Sequence, residues 1–337
     1  MNNLAEAAQS LVRPGAGILA ADESDATILK RFDTIGVASA PETRRAYREL
    51  LFTTPNLEHS ISGVILFDET IRQGTAGGLL FVDLLAGKGI HPGIKVDKGL
   101  EAWGGGEEKV TKGLDGLLPR LEEYAAMGAI FTKWRAVITI GNGMPTKAAI
   151  AENANRLAEF AALSQYAGLI PIVEPEVLMD GNHSIAVCQN VSAATLQEVF
   201  QALHGHDVDL RGMLLKPSMV LPGKESPDQV SDQEIARQTE EVLRATVPPE
   251  VPGIVFLSGG QNPQQATQRL SLMNEMFRDE PWQLSFSYGR ALQDPVLKAW
   301  RGSPENVPAA QAALLKRARF NGQARYGTYQ PAMEDKP

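Results

Sequence analysis

Short apolar runs that end abruptly in polar or charged residues recur eight times along the chain. They are GILAADES (17–24), GVILFDET (63–70), PGIKVDKG (92–99), AIFTKWR (129–135), LIPIVEPE (169–176), GMLLKPS (212–218), GIVFLSGG (253–260) and LSFSYGR (284–290). Each is strand-length and mostly bounded by Gly, Pro or a turn residue, as buried parallel strands are. Helical spacing fills the intervals. Ser39-Ala-Pro41-Glu42 reads as a capping box opening PETRRAYRELL, and Ser231-Asp-Gln-Glu234 as a second, leading to Ile235, Val242 and Leu243. Residues 114–127 repeat Leu114, Leu117, Leu118, Leu121 and Tyr124 and stop at Gly128; 146–167 carry Ile150, Ala154, Leu157 and Ala161 before Gly168. Ser192 precedes Leu196, Val199, Phe200 and Leu203, and 263–277 hold Ala266, Leu270 and Phe277. Eight alternations predict a (β/α)8 TIM barrel. An open doubly wound sheet would require a GxGxxG turn after its first strand, and the sequence has none there.

Residues 25–62 leave room for additional helical structure, and 1–13 and 304–320, the latter opened by Ser303-Pro304-Glu305, read as flanking helices. The expected organisation is one barrel domain over 1–325 and a polar, mobile tail over 326–337.

Composition narrows this picture without redirecting it. One α/β barrel accounts for 337 residues, and 43% hydrophobic with 21% charged content is ordinary for a globular chain with no bilayer-length apolar run. The N-terminal MNNLAEAAQSLV has neither signal-peptide nor transit-peptide character, so a cytoplasmic location is expected. A net charge of −8 implies no general attraction to nucleic acid or membrane, and any phosphate-bearing ligand needs a local site. Cys188 is the only cysteine, which excludes an internal disulfide and a Cys-rich zinc module. His204 and His206 in LHGHDVD read as a solvated turn after a helix.

Charge falls where such a barrel places its chemistry, at the C-terminal strand ends: Asp22, Asp68, Lys95 with Asp97, Lys133 with Arg135, Glu174 with Glu176, Lys216 and Arg290. Residues two apart point to one side of a strand, so each pair shares a side, with its first member deeper. Two lysines without clustered histidines suggest amine chemistry. A lysine of ordinary pKa, about 10.4, is protonated and cannot attack a carbonyl. Desolvation or a neighbouring cation must lower it toward roughly 7–8, a change of ~4 kcal/mol that only a buried, preorganised site supplies. Lys216, behind Met213, Leu214 and Leu215, has the apolar setting; Lys133 is the candidate neighbouring cation. Glu174, following LIPIV, is placed as a proton shuttle whose pKa burial would raise. Pro175 and Pro217 hold the residues before them extended.

The last two strands end in SGGQ (258–261) and SYGR (287–290), where barrels of this type bind phosphate. Ser258, Gly259 and Gly260 offer a hydroxyl and amides, and Arg290 a bidentate fork. Two other readings stay open on residues alone: a metal-dependent lyase or isomerase with Asp22, Asp68, Asp97 and Glu174 as ligands, and a non-enzymatic sugar-phosphate-binding or assembly scaffold.

The ordered segments GILAADES, GVILF-ET, PGIKVDKG, KWR, PIVEPE, LLKP-M, FLSGGQ and FSYGRALQ resemble class I fructose-1,6-bisphosphate aldolase over nearly the whole chain. The resemblance implies a (β/α)8 barrel, a homotetramer, and metal-independent, cofactor-free, reversible Schiff-base cleavage of fructose 1,6-bisphosphate to dihydroxyacetone phosphate and glyceraldehyde 3-phosphate. Phosphorylated ketoses and trioses are the implied ligands, and the same groups would serve sedoheptulose 1,7-bisphosphate or fructose 1-phosphate. By motif, Lys216 matches the Schiff-base lysine, Lys133 the lysine assisting carbinolamine chemistry, Glu174 the general acid/base and Asp22 the aspartate orienting substrate hydroxyls. Lys95, Arg135, Glu176, Lys30 and Arg31 match positions lining the site or binding the far phosphate. Ser258, Gly259, Gly260, Ser287, Tyr288, Gly289 and Arg290 fall in the loops assigned to the ketose phosphate. Two departures stand out. Vertebrate-type members end in a tyrosine on a mobile tail that assists proton exchange, whereas this chain ends MEDKP, leaving Tyr326 and Tyr329 as its last tyrosines. FDET also has Asp68 where relatives carry His or Glu, a change expected to be tolerated.

Overall fold

In the computed structural model, which describes residues 4–335, each of the eight apolar runs overlaps a strand. With the hairpin described below, the strands are β1 (Gly17–Ala20), β2 (Ile61–Leu66), β3 (His91–Lys95), β4 (Leu100–Ala102), β5 (Lys109–Thr111), β6 (Phe131–Ile138), β7 (Ile170–Val177), β8 (Leu214–Leu215), β9 (Gly253–Phe256) and β10 (Gln283–Tyr288). All but β4 and β5 close into one barrel in the order β1-β10-β9-β8-β7-β6-β3-β2, every neighbour parallel. The β4–β5 pair is a short antiparallel hairpin beyond β3 that no apolar run announces.

Strand parity builds both the core and the site. Ile18, Ala20, Ile65, Phe131, Ile170, Ile172, Leu214 and Val255 fill the barrel, joined from below by Ala8 and Leu11 of the helix Leu4–Leu11. Their alternate neighbours, Leu19, Val64, Ile94, Trp134, Val173, Leu215, Phe256 and Phe286, belong to the separate layer beneath the surrounding helices. Going up the interior column, Phe131 is followed by Lys133, Ile172 by Glu174 and Leu214 by Lys216. Apolar filling thus gives way to charge at the upper rim. Gly93 on β3 makes room for this packing, since a Cβ there would run into the Phe131 ring. β8 is short because Lys216 N still donates to Val173 O at 2.8 Å, but Pro217 has no N–H with which to continue the ladder.

Several local expectations change. Ser231 caps the helix Asp232–Thr246 by accepting from Glu234 N, as the sequence suggests. Ser39 does not cap: the helix Pro41–Phe52 begins after Ala40, and Ser39 Oγ instead accepts from Arg44. The helix expected after Ser192 starts earlier, over Ile185–Gly205, capped by Ser184, with Ser192 buried inside it. Leu114 precedes the helix Leu117–Ala126. Residues 25–62 do hold extra helices, Asp25–Asp33 and Pro41–Phe52.

The expected mobile tail packs back on the barrel. Tyr329 is buried, its hydroxyl donates to Glu334 Oε1 at 2.8 Å, and Glu334 pairs with Arg317 on the helix Val307–Ala324. Residues 1–3 of the flanking N-terminal segment and 336–337 of the tail lie outside the described residues. No helix among the described residues is long and apolar enough to cross a membrane.

Candidate active site

The C-terminal strand ends enclose a cavity of about 680 Å³. Its floor is Lys216, Glu174, Lys133 and Asp22, brought together from β8, β7, β6 and the segment after β1. Glu174 lies between the two amines: its Oε1 is 3.4 Å from Lys216 Nζ and its Oε2 3.4 Å from Lys133 Nζ. Lys133 Nζ also lies 2.7 Å from Asp22 Oδ2. Glu174 and both lysines are at most 4% exposed, so water screens these charges little.

Lys133, the neighbouring cation expected beside Lys216, is itself paired with Asp22 and Glu174. Burial opposes its charge, yet Asp22, Glu174 and Asp97 outweigh burial and hold its ammonium well above the usual lysine range. Burial also opposes the Asp22 charge, but Lys133, Lys216 and Lys95 outweigh it and hold that carboxyl well below the usual carboxylate range.

Around this floor stand Lys95, Arg135, Glu176, Lys30, Arg31, Ser258, Gly259, Ser287, Gly289 and Arg290. Arg135 is paired with Glu176, and Lys95 with Asp97 at 2.6 Å. Lys95 ends β3 and Asp97 lies beyond it, the order expected along the strand, although the Asp97 side chain is the more buried of the two. Arg31 is paired with Glu23 at 2.6 Å, while Lys30 and Arg290 have no ion pair among the described residues. Ser287 Oγ is buried in the wall with no hydrogen-bond partner, a polar atom left available to a ligand. Gly259 and Gly260 both have positive φ, +55° and +89°, which only glycine adopts readily.

Two expected residues stand outside the cavity wall. Tyr288 has outward parity; its side chain lies among the helices and its hydroxyl donates to Ala266 O at 3.0 Å. Strand alternation, applied to SYGR as it was to the paired charges, would have excluded that side chain. Gly260 stands one residue beyond Gly259 and does not line the cavity. Asp68 begins a separate short helix, accepts from Tyr124 and Arg72, and lines a neighbouring cavity with Asp97. The four carboxylates of the metal reading therefore do not converge, and three of them, Asp22, Asp97 and Glu174, are already matched to lysines.

The sequence reading missed Glu23, Asp294 and Lys298. The last two follow Arg290 at helical spacing, on the helix Arg290–Trp300, and line the same cavity. Glu23 is buried and accepts from Arg48 at 2.6 Å and Gln293 at 2.7 Å as well as pairing with Arg31. Arg31 and Arg48 overcome the cost of burial and hold the Glu23 carboxyl below its usual range. Nothing local announces this network, because its members are spread from residue 23 to 293.

Comparison with known proteins now bears on the site. A family model described as fructose-bisphosphate aldolase class-I matches residues 3–337. A protein of Xanthomonas campestris pv. campestris named probable fructose-bisphosphate aldolase class 1 is 52% identical over 98% of this chain and 99% of its own length. Fructose-bisphosphate aldolase 1 of Toxoplasma gondii is 53% identical over 97% of this chain and 90% of its own. The crystal structure of fructose-bisphosphate aldolase from Plasmodium falciparum superposes with a TM-score of 0.96 at 50% identity, covering 97% of this chain and 95% of that one.

Proposed function

The chain belongs to the class-I fructose-bisphosphate aldolase family, and from that premise we propose that Lys216 is the amine that condenses with the ketose. The enzyme is a lyase that cleaves fructose 1,6-bisphosphate reversibly to dihydroxyacetone phosphate and glyceraldehyde 3-phosphate. The observation that carries the assignment of roles is Glu174, with one oxygen 3.4 Å from each of Lys216 and Lys133.

Glu174 removes a proton from the Lys216 ammonium, freeing the lone pair to attack C2 of the ketose. As the C–N bond forms, a second proton passes from the nitrogen to the C2 oxygen to give the carbinolamine hydroxyl, and Glu174 then returns the first to that hydroxyl as water leaves and the iminium forms. Lys133, kept cationic by its carboxylate neighbours, supports the developing charge on that oxygen. The C3–C4 electrons flow into the iminium as the C4 hydroxyl gives its proton to Asp22 or Glu174. This releases the aldehyde and leaves an enamine on Lys216. Protonation at C3 and hydrolysis return the free lysine and release dihydroxyacetone phosphate. Asp22, fixed on Lys133, orients the substrate hydroxyls.

Ser258, Gly259, Gly260, Ser287, Gly289 and Arg290 hold the ketose phosphate, with Tyr288 acting through its backbone. Lys30, Arg31, Lys95 and Arg135 receive the far phosphate, and Glu176 orients Arg135. The family also implies a cytoplasmic homotetramer, which light scattering of the purified protein checks. Comparing kcat/KM for fructose 1,6-bisphosphate, fructose 1-phosphate and sedoheptulose 1,7-bisphosphate sets the substrate range. The direct test of mechanism is borohydride reduction in the presence of dihydroxyacetone phosphate, followed by peptide mass mapping. A stable adduct on Lys216 is expected, and its absence there sinks the assignment.

A further inference from the structure

The loops following β7 and β8 are laced together beside the ketose-phosphate end of the cavity. Lys224 N donates to Met179 O at 2.8 Å, Gly223 N to His183 O at 2.9 Å and Glu225 N to Gly181 O at 2.9 Å. A Cβ on Gly223 would collide with Gly181 O, so the close approach depends on glycine there. These contacts fix the backbone from which the Lys224 side chain reaches the loop after β9. Its Nζ stands 3.4 Å from the point a Cβ on Gly260 would occupy, and Arg290 Nη1 stands 3.9 Å from the same point.

Two cations thus flank the glycine turn, one already assigned to the phosphate and one not. Lys224 Nζ is 2.8 Å from Asp180 Oδ1, with the two side chains 47% and 65% exposed. Exposed pairs of this kind hold weakly, and a phosphomonoester dianion offers more charge and more acceptor oxygens than one carboxylate. The lysine stem is flexible enough to turn between the two partners.

We propose that Lys224 is a second cation for the ketose phosphate, exchanging Asp180 for the substrate so that Lys224 and Arg290 grip the phosphate together beside Gly260. The proposal rests on the placement of that phosphate over Gly259 and Arg290. It makes Asp180 a competitor that tempers affinity and lets product leave.

The test is calorimetric binding of dihydroxyacetone phosphate, which carries only this one phosphate, to the full-length enzyme. Lys224→Met is expected to raise Kd about fivefold and to flatten its salt dependence, Lys224→Arg to retain wild-type affinity, and Asp180→Asn to lower Kd. The Arg290→Ala variant serves as the reference. If Arg290→Ala weakens binding while Lys224→Met stays within about twofold of wild type, the proposal is overturned and the phosphate placement stands. If neither variant weakens binding, the phosphate placement itself falls, and the proposal with it.

Discussion

Lys133 Nζ lies 2.7 Å from Asp22 Oδ2, joining β6 to the segment after β1 across the barrel. Lys133 is buried and the Asp22 side chain is only 13% exposed, so each needs the other's charge. Lys133→Met leaves Asp22 with only the more distant amines. The expected cost is ~3–5 kcal/mol of stability, the usual result of orphaning one member of a buried pair, and a kcat loss of at least ~10²-fold. Urea denaturation and steady-state cleavage of fructose 1,6-bisphosphate check both.

The same pair sets an acid limit. The native Asp22 pKa is held below its ordinary value of 3.8, so the unfolded state binds its proton first as pH falls. The contribution from Asp22 is fully present above pH 3.8 and is lost as pH drops below it toward the native pKa. Urea midpoints measured from pH 6 to pH 3 should fall more steeply below pH 4 in wild type than in Asp22→Asn. Parallel curves would contradict the assignment.

Glu174 contacts both amines, so removing its charge should affect the chemical steps more than substrate capture. For Glu174→Gln the expected change is a kcat loss of ~10²–10⁴-fold with KM altered far less. Borohydride trapping on Lys216 should slow in parallel, because iminium formation needs the proton that Glu174 relays. Trapping at the wild-type rate would move the shuttle to another residue.

Much of this site was legible in the sequence because buried parallel strands are apolar until they end, and the residue that interrupts the run is the one at the rim. GMLLKPS, LIPIVEPE and AIFTKWR each announce both a strand and its functional residue. What escaped lacks such a contrast. β4 and β5 are three-residue strands separated by Trp-Gly-Gly-Gly-Glu-Glu, with few buried positions to give a period. Ser184 and Ser192 both resemble caps, and only the fold selects Ser184, whose hydroxyl reaches Val187 N. The Glu23 network joins Arg31, Arg48 and Gln293 from three helices, a convergence that exists only once the barrel has closed.

A second buried carboxyl gives stability the opposite pH dependence. Glu240, on the helix Asp232–Thr246, is pushed up to about 7 by burial and by Glu280, with Arg244 only partly compensating. The native state therefore holds a proton that the unfolded state has released, and stability falls as pH rises from the ordinary value of 4.5 through about 7. Glu240→Gln, which keeps the shape without the charge, should raise Tm by ~2–5 °C at pH 8 and leave it unchanged at pH 4. Equal gains at both pH values would mean the effect is packing, not ionisation.

The last two tyrosines are placed for structure in this fold, which gives the final prediction. Tyr326 lies at the lower end of the barrel, in a cavity with Pro14, Gly15 and His59, and a Cβ on Gly15 would meet its hydroxyl. Tyr329 is buried against Phe320, donates to Glu334 and receives Ser271 Oγ on its carbonyl. Burial first, and then Glu334, raise its phenol pKa above the usual range, which disfavours the phenolate. Neither hydroxyl lines the cavity around Lys216. Tyr326→Phe and Tyr329→Phe should therefore keep kcat for fructose 1,6-bisphosphate cleavage within about twofold of wild type, while Tyr329→Phe costs ~1 kcal/mol by removing one of the donors to Glu334. Tritium exchange at C3 of dihydroxyacetone phosphate isolates the proton step: a loss of ~10-fold or more in either variant would require the tail to leave this position during turnover.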